Sequence, residues 1–258
     1  MKKNFTFIAN WKMYLNFNEE IDLATSEYDN YIKLAKNTNS EIIICPSFLS
    51  LSNITQIFKT TEIETGAQNC SEHLKGSFTS QVSAESLNLI GSKFCIIGHS
   101  ESRKYLHENE NQIIGKLDML IDNKISPILC IGENQEEHKK NETLKKLELQ
   151  LKKLEESISN NANIREYIPI YIAYEPLWSI GTGNIPTQQH LENVFTWLFE
   201  KTQNINNNVE FKILYGGSVN AENTNFLKKI KHLDGFLIGK SSLDFQEFEK
   251  IVRLGSLS

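Results

Sequence analysis

The chain has 258 residues, 40% of them hydrophobic and 23% charged, with a formal net charge of -5. This is an ordinary globular composition, and the absence of a dominant basic block argues against a nucleic-acid partner. The apolar stretch from Phe5 to Ala9 is too short for a secretion signal or a bilayer span, so a cytoplasmic location with no membrane partner is expected. Cys45, Cys70, Cys95 and Cys130 show no close pairing such as C-x-x-C and read as reduced thiols, mostly on strands.

Phe5-Thr6-Phe7-Ile8-Ala9 is the first predicted strand, ending in Asn10-Trp11-Lys12. Glu19 to Lys36 reads as one helix with an apolar face from Ile21 to Ala35. Glu41 to Cys45 is the second strand, stopped by Pro46, and a helix with Leu49, Ile54, Ile57 and Phe58 follows. Glu62 to Ala67 is the third strand and leads into a long loop through Gln68 and Asn69 to Thr79. Ala84 to Ile90 is a short helix closed by Gly91. Phe94 to Ile97 is the fourth strand, ending in Gly98-His99-Ser100-Glu101, and Asn111 to Asp122 is helical.

Ser126 to Ile131 is the fifth strand, ending in Gly132-Glu133. Asn141 to Ser159 is a charged helix with a leucine seam too short for a coiled coil. Ile168 to Ala173 is the sixth strand, and Glu175-Pro176 follows close behind it. A loop with Trp178, Gly181 and Gly183 leads to a helix whose N-cap is Thr187. Glu210 to Tyr215 is the seventh strand, ending in Gly216-Gly217-Ser218, with a short helix over 222–230. Gly235 to Ile238 is the eighth, ending in Gly239-Lys240, and a last helix starts at Asp244.

This is eight β-then-α units of about 32 residues, as an eighth of a ~250-residue barrel requires. The strands are near-continuous apolar runs, as parallel buried strands are. No linker splits the chain, so the expectation is a single α/β domain over 1–258, an eight-stranded parallel (β/α)8 barrel. A doubly wound open sheet is the alternative.

In a barrel every strand's C-terminal end reaches one rim, which holds the chemistry. The polar residues at those ends are Asn10, Lys12, Gln68, Asn69, His99, Glu101, Glu133 and Glu175, with glycine turns at 216–217 and 239. Glu175, at a strand end beside a loop that can cover it, reads as a catalytic base. The alternative is a carboxylate that merely caps or pairs. Small residues in the last two turns let backbone N–H groups approach a phosphate, although Gly-Gly also makes a plain turn. Neither a GxGxxG fingerprint nor a Walker loop is present. Lys12 supplies a cation, and His99 at a helix start reads as a neutral imidazole donor. No second histidine stands at ligand spacing from His99, so no metal is expected.

Taken together, Asn10-Trp11-Lys12, Gly98-His99-Ser100-Glu101, Cys130-Ile131-Gly132-Glu133, Tyr174-Glu175-Pro176-Leu177-Trp178 and Tyr215-Gly216-Gly217-Ser218-Val219 closely resemble the triosephosphate isomerase family. The resemblance runs from the first strand to the last. It implies a homodimeric barrel that interconverts dihydroxyacetone phosphate and D-glyceraldehyde 3-phosphate with neither cofactor nor metal. It makes Glu175 the base, His99 the electrophile and Lys12 the cation, with Asn10 beside them. It gives Gly181, Ser218, Gly239 and Lys240 to phosphate binding, Pro176 to Asn184 to a lid anchored by Tyr215 and Ser218, and Thr79 to the partner's site.

Three departures from the family pattern stand out. Lys240 replaces the second glycine of the last turn, which strains the backbone if φ is positive there. Gln81 and Ser102 replace a Glu and an Arg that pair across the dimer. Asn184 replaces a lysine at the end of the lid. The alternatives are an isomerase of a four-carbon ketose phosphate such as an erythrulose phosphate, a catalytically silent binding homologue, and an unrelated phosphate-binding barrel lyase.

Overall fold

The computed structural model describes residues 5–160, 168–180, 184–205 and 209–256. In chain order it builds β1 (Thr6–Asn10), α1 (Phe17–Ser26), α2 (Tyr28–Thr38), β2 (Glu41–Cys45), α3 (Phe48–Phe58), β3 (Ile63–Ala67), α4 (Ala84–Leu89) and β4 (Phe94–Ile97). Then come α5 (Ser100–Tyr105), α6 (Glu110–Asp122), β5 (Ser126–Ile131), α7 (Gln135–Lys139), α8 (Thr143–Asn160), β6 (Ile170–Tyr174) and α9 (Gln188–Ile205). The chain ends with β7 (Phe211–Tyr215), α10 (Ala221–Leu227), β8 (Gly235–Ile238), a 3-10 turn (Lys240–Ser242) and α11 (Phe245–Ser256).

The strands pair in sequence order, all parallel, and β8 returns to β1 to close a (β/α)8 barrel in a single domain. The closing seam requires a glycine: a Cβ on Gly235 would stand 2.0 Å from the Thr6 carbonyl oxygen. Strand side chains alternate with period two. Ile8, Ile43, Phe94, Ile96, Ile128, Tyr171, Leu214 and Leu237 therefore fill the barrel's interior with one another. Phe7, Ala9, Ile42, Ile44, Ile172 and Phe236 face the helices in the larger outer core. Both strand faces are buried, which is why these segments read as continuous apolar runs. All four cysteines are buried and unbridged, and burial pushes the Cys45 thiol up. No described helix is long and apolar enough to cross a membrane.

The structure differs from the sequence reading in three places. The helix expected over 19–36 breaks at Glu27, where φ and ψ are -102° and 10°. The break re-aims the second half, and Tyr31 meets Phe58, Phe245 and Phe248. On α3 the polar Ser50 is buried while Leu49, one of the apolar residues that marked this helix in the sequence, is 79% exposed. The reason is Glu20, fully buried and hydrogen-bonded by the Ser50 hydroxyl, the Ser47 hydroxyl and the Ser47 N–H. Third, α7 was not anticipated, although its capping box, Asn134 with Glu137, is a legible start signal.

Candidate active site

The strands deliver the polar residues at their C-terminal ends to one rim. β6 ends at Tyr174, and Glu175 follows with only 2% of its surface exposed. Its N–H donates to the Ile131 carbonyl at 2.7 Å. Gly132 lies against it so closely that a Cβ there would fall 1.8 Å from the Glu175 carbonyl oxygen. The backbone of this residue is thus fixed by β5, and its carboxylate is aimed by β4. Oε2 accepts the Ser100 N–H at 3.1 Å, and Oε1 stands 3.2 Å from His99 Nε2.

His99 is the N-cap of α5, and its Nδ1 accepts the Glu101 N–H at 3.2 Å. An imidazole nitrogen that accepts a backbone N–H carries no proton, so the ring's proton sits on Nε2, facing Glu175. The turn that aims His99 uses Gly98 at φ 65°, a left-handed value that suits glycine. Arg103 locks this turn: Nε donates to the Gly98 carbonyl at 2.6 Å and an Nη to that of Cys130 at 3.2 Å.

Lys12 adopts φ 52°, a left-handed conformation that is strained for a residue with a Cβ. Its N–H donates to Asn10 Oδ1 at 3.1 Å, and its carbonyl accepts Gln68 Nε2 at 2.8 Å. Gln68 also donates to the Cys45 carbonyl at 3.0 Å. The Lys12 ammonium pairs with Glu101 Oε1 at 2.8 Å, while Glu101 Oε2 lies 3.7 Å from His99 Nδ1. One run of contacts therefore joins Lys12, Glu101, His99 and Glu175. Gly239 borders the same ammonium, since a Cβ there would sit 3.8 Å from Lys12 Nζ.

The loop after Glu175 is held from below. Trp178 Nε1 donates to Glu133 Oε1 at 2.8 Å, and the Leu177 N–H donates to the Glu133 carbonyl at 3.0 Å. Burial pushes the Glu133 carboxyl up, while the Trp178 and Tyr174 hydrogen bonds pull it back. Ser179 lies 3.3 Å from the Tyr215 hydroxyl, and the Ser218 hydroxyl donates to the Ser179 carbonyl at 2.8 Å. Ser218 thus connects the turn after β7 to the loop. Gly181 lies outside the described residues. Lys240 is exposed and is not among the residues with positive φ, so the strain considered for it does not arise.

The rim thus brings Glu175, His99, Lys12, Asn10 and Gly239 together, with Ser218 on the loop side. Sequence reasoning listed Glu101 among strand-end polar residues but gave it no role. It gave none to the Ser100 N–H, and it missed Arg103. Their signal is the first turn of a helix that opens at His99. Among the described residues, one group of side chains has metal-ligand spacing, Glu133, His138 and His190, and it does not include His99.

A family model described as "Triosephosphate isomerase" matches residues 5–255. The chain is 37% identical to the triosephosphate isomerase of Aquifex aeolicus over 95% of its length and 96% of that protein. It is 36% identical to the enzyme of the same name from Thermodesulfovibrio yellowstonii, covering 98% of this chain and all 100% of that one. The enzyme of Mycoplasmopsis agalactiae is also 36% identical, over 98% of this chain and 97% of its own. With the closed barrel and these motifs in place from first strand to last, the chain belongs to the triosephosphate isomerase family.

Proposed function

We propose that this chain interconverts dihydroxyacetone phosphate and D-glyceraldehyde 3-phosphate with Glu175 as base, His99 as electrophile and Lys12 as cation. The observation that carries the assignment of roles is the 3.2 Å approach of His99 Nε2 to Glu175 Oε1, both residues buried. A hydrogen-bond donor and a carboxylate that near to each other can serve adjacent carbons of one small substrate.

A proton on carbon beside a carbonyl is weakly acidic, so the base needs help from the oxygen side. Glu175 takes the proton from the carbon next to the ketone. His99 Nε2–H bonds the carbonyl oxygen as negative charge grows on it, and the Lys12 ammonium offsets that charge. A proton passes from one enediol oxygen to the other, and Glu175 returns the first proton to the neighbouring carbon. Atoms and charge balance with no electron acceptor. Asn10 fixes the Lys12 backbone, and the N–H groups around Gly181, Ser218, Gly239 and Lys240 receive the phosphate. Closure of 176–184 would shed water, strengthen these interactions and protect the enediolate.

The four-carbon alternative drew its weight from Lys240, whose exposed side chain and unstrained backbone leave it no special part. A homodimer fits the surface. At the rim, the loops after β1 and β3 and the first turn of α3 expose Met13, Leu74, Phe78 and Leu49 at 92%, 52%, 39% and 79%, and apolar side chains so placed mark a protein partner. Thr79 stands exposed at the tip of the third loop, suited to reach a partner's rim. Gln81 is exposed, and its Oε1 accepts the Ser71 hydroxyl at 2.5 Å; being neutral, it needs no charged partner.

A coupled assay of the purified protein with glyceraldehyde 3-phosphate, run beside erythrulose phosphates, tests the activity. Turnover of the triose with little on the tetroses is expected, and the reverse preference overturns the reading. Sedimentation should give twice the chain mass, and a monomer would remove the dimer.

A further inference from the structure

Beside the rim, α7 and the first turn of α9 bring His138 and His190 against Glu133. The ligand atoms of all three lie within 4.8 Å of one another. His138 Nδ1 and His190 Nε2 stand 3.7 Å and 3.8 Å from Glu133 Oε1. The two rings meet edge to face at 82°, their centroids 5.0 Å apart, so their nitrogens can converge without the rings stacking. Glu133 is fully buried, and its Oε2 has no hydrogen-bond partner. The oxygen that faces both imidazoles, Oε1, also accepts Trp178 Nε1 at 2.8 Å and the Tyr174 hydroxyl at 3.1 Å, so the buried carboxylate is under-satisfied at Oε2, and a cation held at Oε1 would offset its charge.

We propose that Glu133, His138 and His190 form a binding site for a zinc-class divalent transition metal at the root of the loop that follows Glu175. Two imidazoles and one carboxylate match the donor set zinc takes with a fourth position left to water. Magnesium and calcium prefer all-oxygen shells. Ligand atoms around a tetrahedral zinc at about 2.1 Å lie about 3.4 Å apart, so each imidazole has a few tenths of an ångström to move toward Glu133 Oε1, and the cluster as a whole, within 4.8 Å, closes by at most about 1.4 Å. Tyr174 now bonds His190 Nε2 at 2.8 Å and Glu133 Oε1 at 3.1 Å. Metal binding would take the histidine nitrogen and leave the tyrosine its bond to Glu133. Trp178 caps the cluster, stacked on His138 with centroids 4.0 Å apart at 22°. The site therefore sits under the loop's own tryptophan. None of this depends on the catalytic roles given above.

The test uses the untagged full chain, stripped of metal and titrated calorimetrically with zinc chloride. One saturable zinc per chain is expected, and cobalt(II) at the same site should give the intense visible band of a tetrahedral ion, displaced by zinc. His138→Gln and His190→Gln should each weaken binding by at least about tenfold, since even outer-shell partners carry that much. If either variant fails to fold, the wild-type chain still decides: zinc should shield His138 and His190, but not His73, His107 or His232, from acylation by diethyl pyrocarbonate mapped by mass spectrometry. No saturable heat, an affinity unchanged in both variants, or protection at other histidines instead would each overturn the proposal.

Discussion

At the N-terminal mouth of the barrel, Glu41 Oε2 accepts Thr6 Oγ1 at 2.7 Å, the Tyr171 hydroxyl at 2.9 Å and Lys212 Nζ at 2.8 Å. At the opposite rim, Glu175 receives one backbone N–H at 3.1 Å and one imidazole at 3.2 Å, and the nearby lysine holds a left-handed φ of 52°. The same residue types, Glu and Lys, stand at both ends. Below, one carboxylate oxygen is satisfied three times by side chains in relaxed geometry, an arrangement that serves the fold. Above, a buried carboxylate has fewer and longer contacts, and the backbone beside it stores strain. Groups held that way can exchange their partners for a substrate, which is how stability and chemistry separate on this scaffold.

The comparison is tested most severely by Glu175→Asp. It withdraws the carboxylate by one methylene, and turnover should fall about a hundredfold with KM within a few-fold. Steady-state kinetics decide it, and unchanged turnover removes Glu175 as base. At the other end, Glu41→Ala strips Thr6 and Tyr171 of an acceptor, leaves Lys212 only the Tyr171 hydroxyl, and should cost about 1–3 kcal/mol in urea unfolding, with turnover unaltered. A loss of activity in the folded variant would show that the two ends are not independent.

His190 lies between these extremes. Burial first, and His138 second, push its folded-state value down to about 4. The unfolded chain therefore binds the proton that the folded chain refuses, and stability should fall as pH drops from about 6.5 toward 4. His190→Gln, melted over that range with a chelator present, should show a shallower slope; an identical slope would mean the ring is not shielded. The smallest effect is expected from Lys240→Gly, which should keep activity within about tenfold, or about 1.4 kcal/mol of barrier. A collapse there would mean that the exposed side chain had been recruited to the phosphate.

The eight strands were legible because a parallel strand buried on both faces needs apolar residues at every position, as Ile42-Ile43-Ile44-Cys45 shows. The rim was legible because its polar residues interrupt those runs at a constant place. What escaped was whatever depends on distant parts of the chain meeting. Nothing local to α3 announced that Glu20 would claim Ser50 and leave Leu49 exposed. Glu101 looked like an ordinary first-turn carboxylate, yet it ties down a lysine 89 positions away. His138 and His190 carried no signal of one another, because α8 and β6 intervene and only the pairing of β5 with β6 brings them both to Glu133. The break at Glu27 had no glycine or proline to announce it.

The absence of a side chain at Gly132 has a consequence for how firmly the reaction is aimed. Main chain touches main chain where β5 and β6 release their loops, so no rotamer or packing slack intervenes between the strand that carries Glu175 and its neighbour. Mutations that loosen the outer core can therefore soften the molecule as a whole while the base keeps its origin to within a fraction of an ångström. Drift in this lineage would be expected to change how long the enzyme lasts well before it changes where the proton is taken.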